Sequence, residues 1–207
     1  MKKVHPFYDK EKLQANLKSA RMDVYYRDFA VKSLKAALFL TVIVDTLIYF
    51  VVISITQISS YQVLLIMLMV IPVSYYLFFK FMLKTPEVKI IRSKKNIEAE
   101  ITSVIRFFIL DLKANAPVFD ALHNIVKNFD EVGLYLNDVL TKVKLGNSLT
   151  ESLNETVELV PSEQFRIFLW QIINHLQTGT DITTTLDTIV DEIIETQRLE
   201  FKRYGKN

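Results

Sequence analysis

Residues 34–83 read LKAALFLTVIVDTLIYFVVISIT, then QISS, then YQVLLIMLMVIPVSYYLFFKFML. Two apolar runs are joined by a few uncharged polar residues. Crossing the hydrocarbon core of a bilayer takes about 20 mostly apolar residues at a helical rise of about 1.5 Å each. Both runs are long enough, and neither carries the polar stripe that a buried soluble helix of this length shows. The stretch predicts a transmembrane helical hairpin over residues 34–83.

The flanks set its orientation. Nine Lys/Arg lie between Met1 and Lys35, and Lys80, Lys84, Lys89, Arg92, Lys94 and Lys95 follow the second run. The connector from Ser54 to Gln62 carries no charge. The positive-inside bias therefore places both ends in the cytoplasm and the short turn outside, as in a multi-pass protein of the cell membrane. Lys84, Lys89, Arg92, Lys94 and Lys95 are candidate membrane-surface residues in a basic linker spanning 84–97.

Charge divides the chain. Residues 1–95 hold 15 Lys/Arg against six acids, and residues 96–207 hold 10 against 17, so a bland net +2 hides a basic and an acidic half. The basic half suits the negative cytoplasmic face of a membrane, and the acidic half disfavours nucleic acid as a partner. With no cysteine, there is no disulfide framework, thiolate zinc site or cysteine nucleophile. Four glycines leave little material for a phosphate-cradling loop. The first apolar run begins too far along the chain to be the core of a cleavable signal, so none is expected.

Residues 1–33 read as a cytoplasmic amphipathic helix, from Tyr8 to Arg21, and a linker. Leu13, Leu17 and Ala20 share one side of that helix, and the favoured reading is a solvated or membrane-surface helix over a docking element. Asp23 is expected to cap the next helix, which starts near Val24 and continues into the membrane. Asp45 stands near the centre of the first span, where an ionised carboxylate costs at least about 2.5–3.5 kcal/mol on insertion scales. It is a candidate intramembrane contact, either to another transmembrane segment or within the hairpin to Tyr75 or Tyr76. Pro72 is expected to kink the second span.

From Glu98 the pattern changes to amphipathic helices with clear stops, predicting an antiparallel six-helix bundle over 98–204 and an all-α fold throughout. Ile101, Val104, Ile105, Phe108, Ile109 and Leu112 form one apolar face. Asn115 ends that helix and Pro117 opens the next. Asp130 starts a third helix and Gly146 stops it. Ser148 and Glu151 have the spacing of a reciprocal capping box. Pro161 closes the fourth helix, Gly179 stops the fifth, and Thr180 or Asp181 caps the sixth. Alternating helix directions put the turns at Asn115, Gly146 and Gly179 at one, membrane-distal end, and return Lys202–Tyr204 to the membrane surface.

Chemistry is harder to find. His5, His123 and His175 have no partner at metal-ligand spacing, so no metal or cofactor is expected. No carboxylate pair is singled out for acid–base work, and Ser148 sits in a capping motif with no nucleophile elbow around it. Asn154-Glu155-Thr156 fits a glycosylation pattern by chance, and Trp170 is expected in the core. An enzyme is not expected.

With the helices placed, the segments SVIRFFILDLKANAPVFDAL, VLTKVKLGNSLTESL and LVPSEQFRIFLWQIINHLQTGTDITTTLDTIVDEIIETQ resemble the cytoplasmic repeat of the F-type platform proteins. These are the inner-membrane platforms of type II secretion systems, type IV pili and archaeal pili or archaella. The resemblance rests on Asn115 before Ala121-Leu122, on Gly146, Ser148, Leu149, Ser152 and Leu153, and on Pro161, Gly179 and Leu186. With LKSARMDVYYRDFAVKSL and the hairpin it covers about Leu17 to Arg198, and is nearest the single-repeat or archaeal branch. Asn115 stands where the family usually has glycine, a tolerable replacement.

The resemblance implies a non-enzymatic scaffold coupling a hexameric secretion ATPase to assembly of pilin-like subunits, working as a homo-oligomer. It also implies a third membrane helix after the repeat, so the chain is expected to be a truncation, a fragment or completed by a partner. Asn115, Gly146, Ser148, Glu151, Gly179 and Asp181 are the candidate docking residues, chosen on topology and charge. The alternatives from other classes are a membrane-anchored helical interaction or sensory module, and a transporter subunit in which Asp45 lines a polar path.

Overall fold

Unbroken apolar sequence with no glycine favours long helices here, because every backbone group is then satisfied within its own segment. A computed structural model describes residues 9–55 and 60–204. In it, Tyr26–Ile55 (α2) and Ser60–Leu83 (α3) are helices of 30 and 24 residues. At about 1.5 Å per residue they are about 45 and 36 Å long, against about 30 Å of hydrocarbon. Both are long and apolar enough to cross a membrane. The connector at 56–59 and His5 lie outside the described residues.

Before them stands Lys10–Ser19 (α1), and after them Thr85–Lys113 (α4), Val118–Asn128 (α5), Glu131–Lys144 (α6), Leu149–Leu159 (α7), Glu163–Thr178 (α8) and Thr183–Tyr204 (α9). No strand occurs among the described residues. The all-α expectation holds. The segment expected as a basic linker is helical from Thr85 onward, and only Lys84 separates α3 from α4. The chain forms two compact units, Met1–Ile90 and Ile91–Asn207, each with its own packing.

In the first unit α2 and α3 form a hairpin. The inward row of α2 is Ser33, Ala37, Thr41 and Asp45, all buried and spaced by four. Small side chains at this spacing let two backbones approach closely, which is how helices associate where lipid removes the hydrophobic drive. The outward faces are apolar: Phe39, Leu47, Phe50, Leu68 and Met69 are all exposed. That inverts the arrangement of a water-soluble helix pair.

α1 departs from expectation. Its Leu13 and Leu17 are buried in a cluster with Phe29, with Met22, Val24, Tyr26 and Leu83 packed against it. The favoured surface-helix reading is thereby replaced by docking against the hairpin. Gln14 on α1 also accepts the Tyr26 N–H at 2.8 Å, so the start of α2 is capped by α1 and not by Asp23. Asn16 and Lys12 reach Glu87 at 3.2 and 3.8 Å. α3 is one helix through Pro72.

The second unit is the six-helix bundle. Ile97, Ile101, Val104, Ile105 and Phe108 form a buried row on α4, joined by the inward rows of α5 to α9 in one core. Phe168 sits at its centre, edge-on to Phe108 at 5.3 Å and stacked on Phe165 at 6.3 Å. Gly133 lets α5 and α6 close up, since a Cβ there would meet the Val126 carbonyl oxygen at 3.3 Å. Trp170, expected inside, is 45% exposed, and Leu176 and Ile194 are each 37% exposed. The helical period places each at the margin of its helix's apolar stripe, where the described residues leave it partly uncovered.

Candidate functional site

The six candidate docking residues build three turns. Asn115 adopts φ 59°, and the Ala116 N–H returns to the Asp111 carbonyl at 3.0 Å, closing the end of α4. Asparagine tolerates this left-handed conformation, which is why it can stand in for glycine. Gly146 has φ 103°, and the Asn147 N–H donates to Lys142 O at 3.2 Å. Ser148 Oγ then accepts the Glu151 N–H at 3.0 Å to start α7. Only this half of the expected capping box forms. Gly179, at φ 69°, ends α8 with its N–H on His175 O at 2.8 Å.

Asp181 opens α9. Its Oδ1 accepts the Thr183 hydroxyl at 2.7 Å and the Thr183 N–H at 2.9 Å. These two bonds, with smaller help from His175 and Lys113, hold the carboxyl below the ordinary aspartate value of 3.8. His175 Nδ1 is itself bonded to Thr180 O, so this histidine fastens the turn.

A polar contact ties two of these turns together. Lys113, at the end of α4, pairs with Asp187 near the start of α9 at 3.1 Å. At the opposite end, Glu131 on the first turn of α6 accepts from Ser93 at 2.6 Å and from Asn96 at 3.3 Å. Glu100 takes the Val132 N–H at 2.8 Å. The start of α6 thus lies against the Ser93–Glu100 stretch of α4. This Glu100–Glu131 clasp has no sequence signal beyond two acids a helix apart.

Lys84, Lys89, Arg92, Lys94 and Lys95 are all exposed, and Lys94 reaches Glu98 one turn on at 3.7 Å. Asp45 is 6% exposed and takes the Ser74 hydroxyl on Oδ2 at 2.8 Å. The within-hairpin partner is therefore Ser74, next to the expected Tyr75. Counting outward from the connector finds the level, and only the packed pair decides which face of α3 is presented. Among the described residues no group of three or more His, Asp or Glu could hold a metal ion.

These features define an all-α protein with two membrane-length helices and a six-helix bundle whose polar contacts cap and clamp helices. Residues 104–206 match the family model of type II secretion system protein F, a span from the middle of α4 beyond the end of α9. The chain belongs to that family of membrane platform proteins of secretion and pilus-type systems. No curated protein and no solved structure matches it.

Proposed function

We propose that the chain is the assembly platform of a type II secretion or type IV pilus-like machine, scaffolding without catalysis. The family match over the bundle carries this reading. The bundle lies on the cytoplasmic side of the cell membrane, as the basic flanks of the hairpin favour. There it receives a hexameric secretion ATPase, and the hairpin gathers pilin-like subunits. The end bearing Asn115, Gly146, Ser148, Glu151, Gly179 and Asp181 is the ATPase-facing end. Its support is the Lys113–Asp187 pair, which draws the Asn115 and Gly179 turns together, the exposed Glu151 and Asp181, and the alternation of helix direction that puts the Gly146 turn with them. Stiff packed helices would pass a displacement at this end along the bundle.

Co-purification of the full chain from membranes tests this reading. A secretion ATPase and pilin-like subunits are expected to come down with it. Reversing the charge of Glu151 and Asp181 together is expected to weaken ATPase recovery while the helical content stays unchanged. Unchanged recovery would remove this end from consideration.

A further inference from the structure

One flank of the hairpin holds a groove of about 340 Å³ between α2 and α3. Thr41, Val42, Asp45, Thr46 and Tyr49 line it from α2, and Met67 and Ile71 from α3. Asp45 is buried within it, and only one of its oxygens is served. Oδ2 has the Ser74 hydroxyl, whereas Oδ1 is buried without a hydrogen-bond partner. The neighbouring threonines do not supply one, because Thr41 donates to Ala37 O at 2.8 Å and Thr46 to Val42 O at 2.6 Å. Ser74 has a single proton, and its Oγ also lies 3.0 Å from Ile71 O.

An unserved carboxylate oxygen at membrane depth is costly, and a lipid acyl chain offers it no donor. The occupant of the groove must therefore carry one. Asp45 lines the groove, and its χ2 is a broad two-fold torsion, so a modest turn presents Oδ1 to an incoming group. The rim already holds a suitable donor in the Tyr49 phenol, one helical turn beyond Asp45.

Two copies inserted with the same orientation present their α2 helices in parallel. Helical side chains lean toward the N-terminal end of their own helix, so the Tyr49 ring covers the level of residue 45. The groove thus carries both the acceptor and the donor that a twin would need, and a surface with this property closes by two-fold symmetry. We propose that the hairpin self-associates in the bilayer through this groove, the Tyr49 hydroxyl of each copy donating to Asp45 Oδ1 of the other. Val42 and Thr46, both lining the groove, pack across the two-fold axis. This rests on the membrane placement of the hairpin and is independent of ATPase docking.

The chain has no cysteine, so single cysteines report the contact without background. In membranes holding the full chain, Val42→Cys and Thr46→Cys are expected to form disulfide-linked dimers on mild oxidation. Leu47→Cys, exposed but off the groove, is expected to stay monomeric. Adding Tyr49→Phe to Val42→Cys is expected to lower the dimer yield about threefold, the usual scale of one interhelical hydrogen bond in a membrane. Monomers at both groove positions, crosslinks to a different protein only, or a yield unchanged by Tyr49→Phe would overturn the pairing. Carbonate extraction of the same membranes separates the two readings. A chain retained in the bilayer but uncrosslinked sinks the pairing alone, whereas a chain that washes out sinks the membrane placement and the pairing with it.

Discussion

The Glu100 carboxylate accepts the backbone N–H of Val132 at 2.8 Å, so a residue on α4 caps the start of α6. Asp130, which occupies the usual capping position, makes no side-chain bond there. The first N–H groups of a helix have no partner within it, and one left unserved on the flank of the core is unfavourable. Glu100→Ala is expected to destabilise the fold by about 1–2 kcal/mol. Glu100→Gln keeps an acceptor oxygen and is expected to recover most of the loss. Thermal melts of the full chain in detergent, followed by helical circular dichroism, would check the order of the three; equal melting of all three would refute the cap.

Gly146 and Asn115 separate backbone strain from crowding. A Cβ at Gly146 would meet nothing within 4 Å, so any penalty comes from φ 103° alone. Gly146→Ala is expected to cost about 1–2 kcal/mol. For a chain of this size that lowers the melting temperature by about 2–4 °C per kcal/mol. At Asn115, which already holds φ 59°, Asn115→Gly is expected to change stability by only a few tenths of a kcal/mol. A neutral Gly146→Ala would show that the turn relaxes in solution.

Acid should loosen the start of α9 in a defined window. Asp181 has a depressed folded value, so its contribution is present above 3.8 and is lost as pH falls through the folded value. A carboxyl NMR titration is expected to give a midpoint below 3.8 for Asp181. Thr183→Ala removes the larger of the two bonds and is expected to move that midpoint upward. A midpoint insensitive to Thr183→Ala would assign the shift to another cause.

Much of this protein is written locally. The two apolar runs set α2 and α3, because chain length and the absence of a polar stripe are properties of each run alone. Asn115, Gly146 and Gly179 each follow an apolar-periodic run and can take left-handed φ at little cost, which is a local signal for a helix end. The 3.6-residue period of α4 to α9 names most of the core for the same reason. The segments resembling platform proteins carry those local signals in order, and the family match falls on them.

What the sequence could not decide was which faces meet. Leu13 and Leu17 suit a membrane surface as well as a protein groove, and only the presence of Phe29 and Leu83 settles them in the latter. Trp170 has core composition but stands at the edge of its stripe, where the packing of the described helices leaves it 45% exposed. Asp45 required a partner on the grounds of desolvation, yet Ser74 in place of Tyr75 or Tyr76 follows from the rotation of α3 against α2. Periodicity constrains each helix about its own axis, whereas the phase between two helices is fixed by their packed side chains, and that is a property of the tertiary structure.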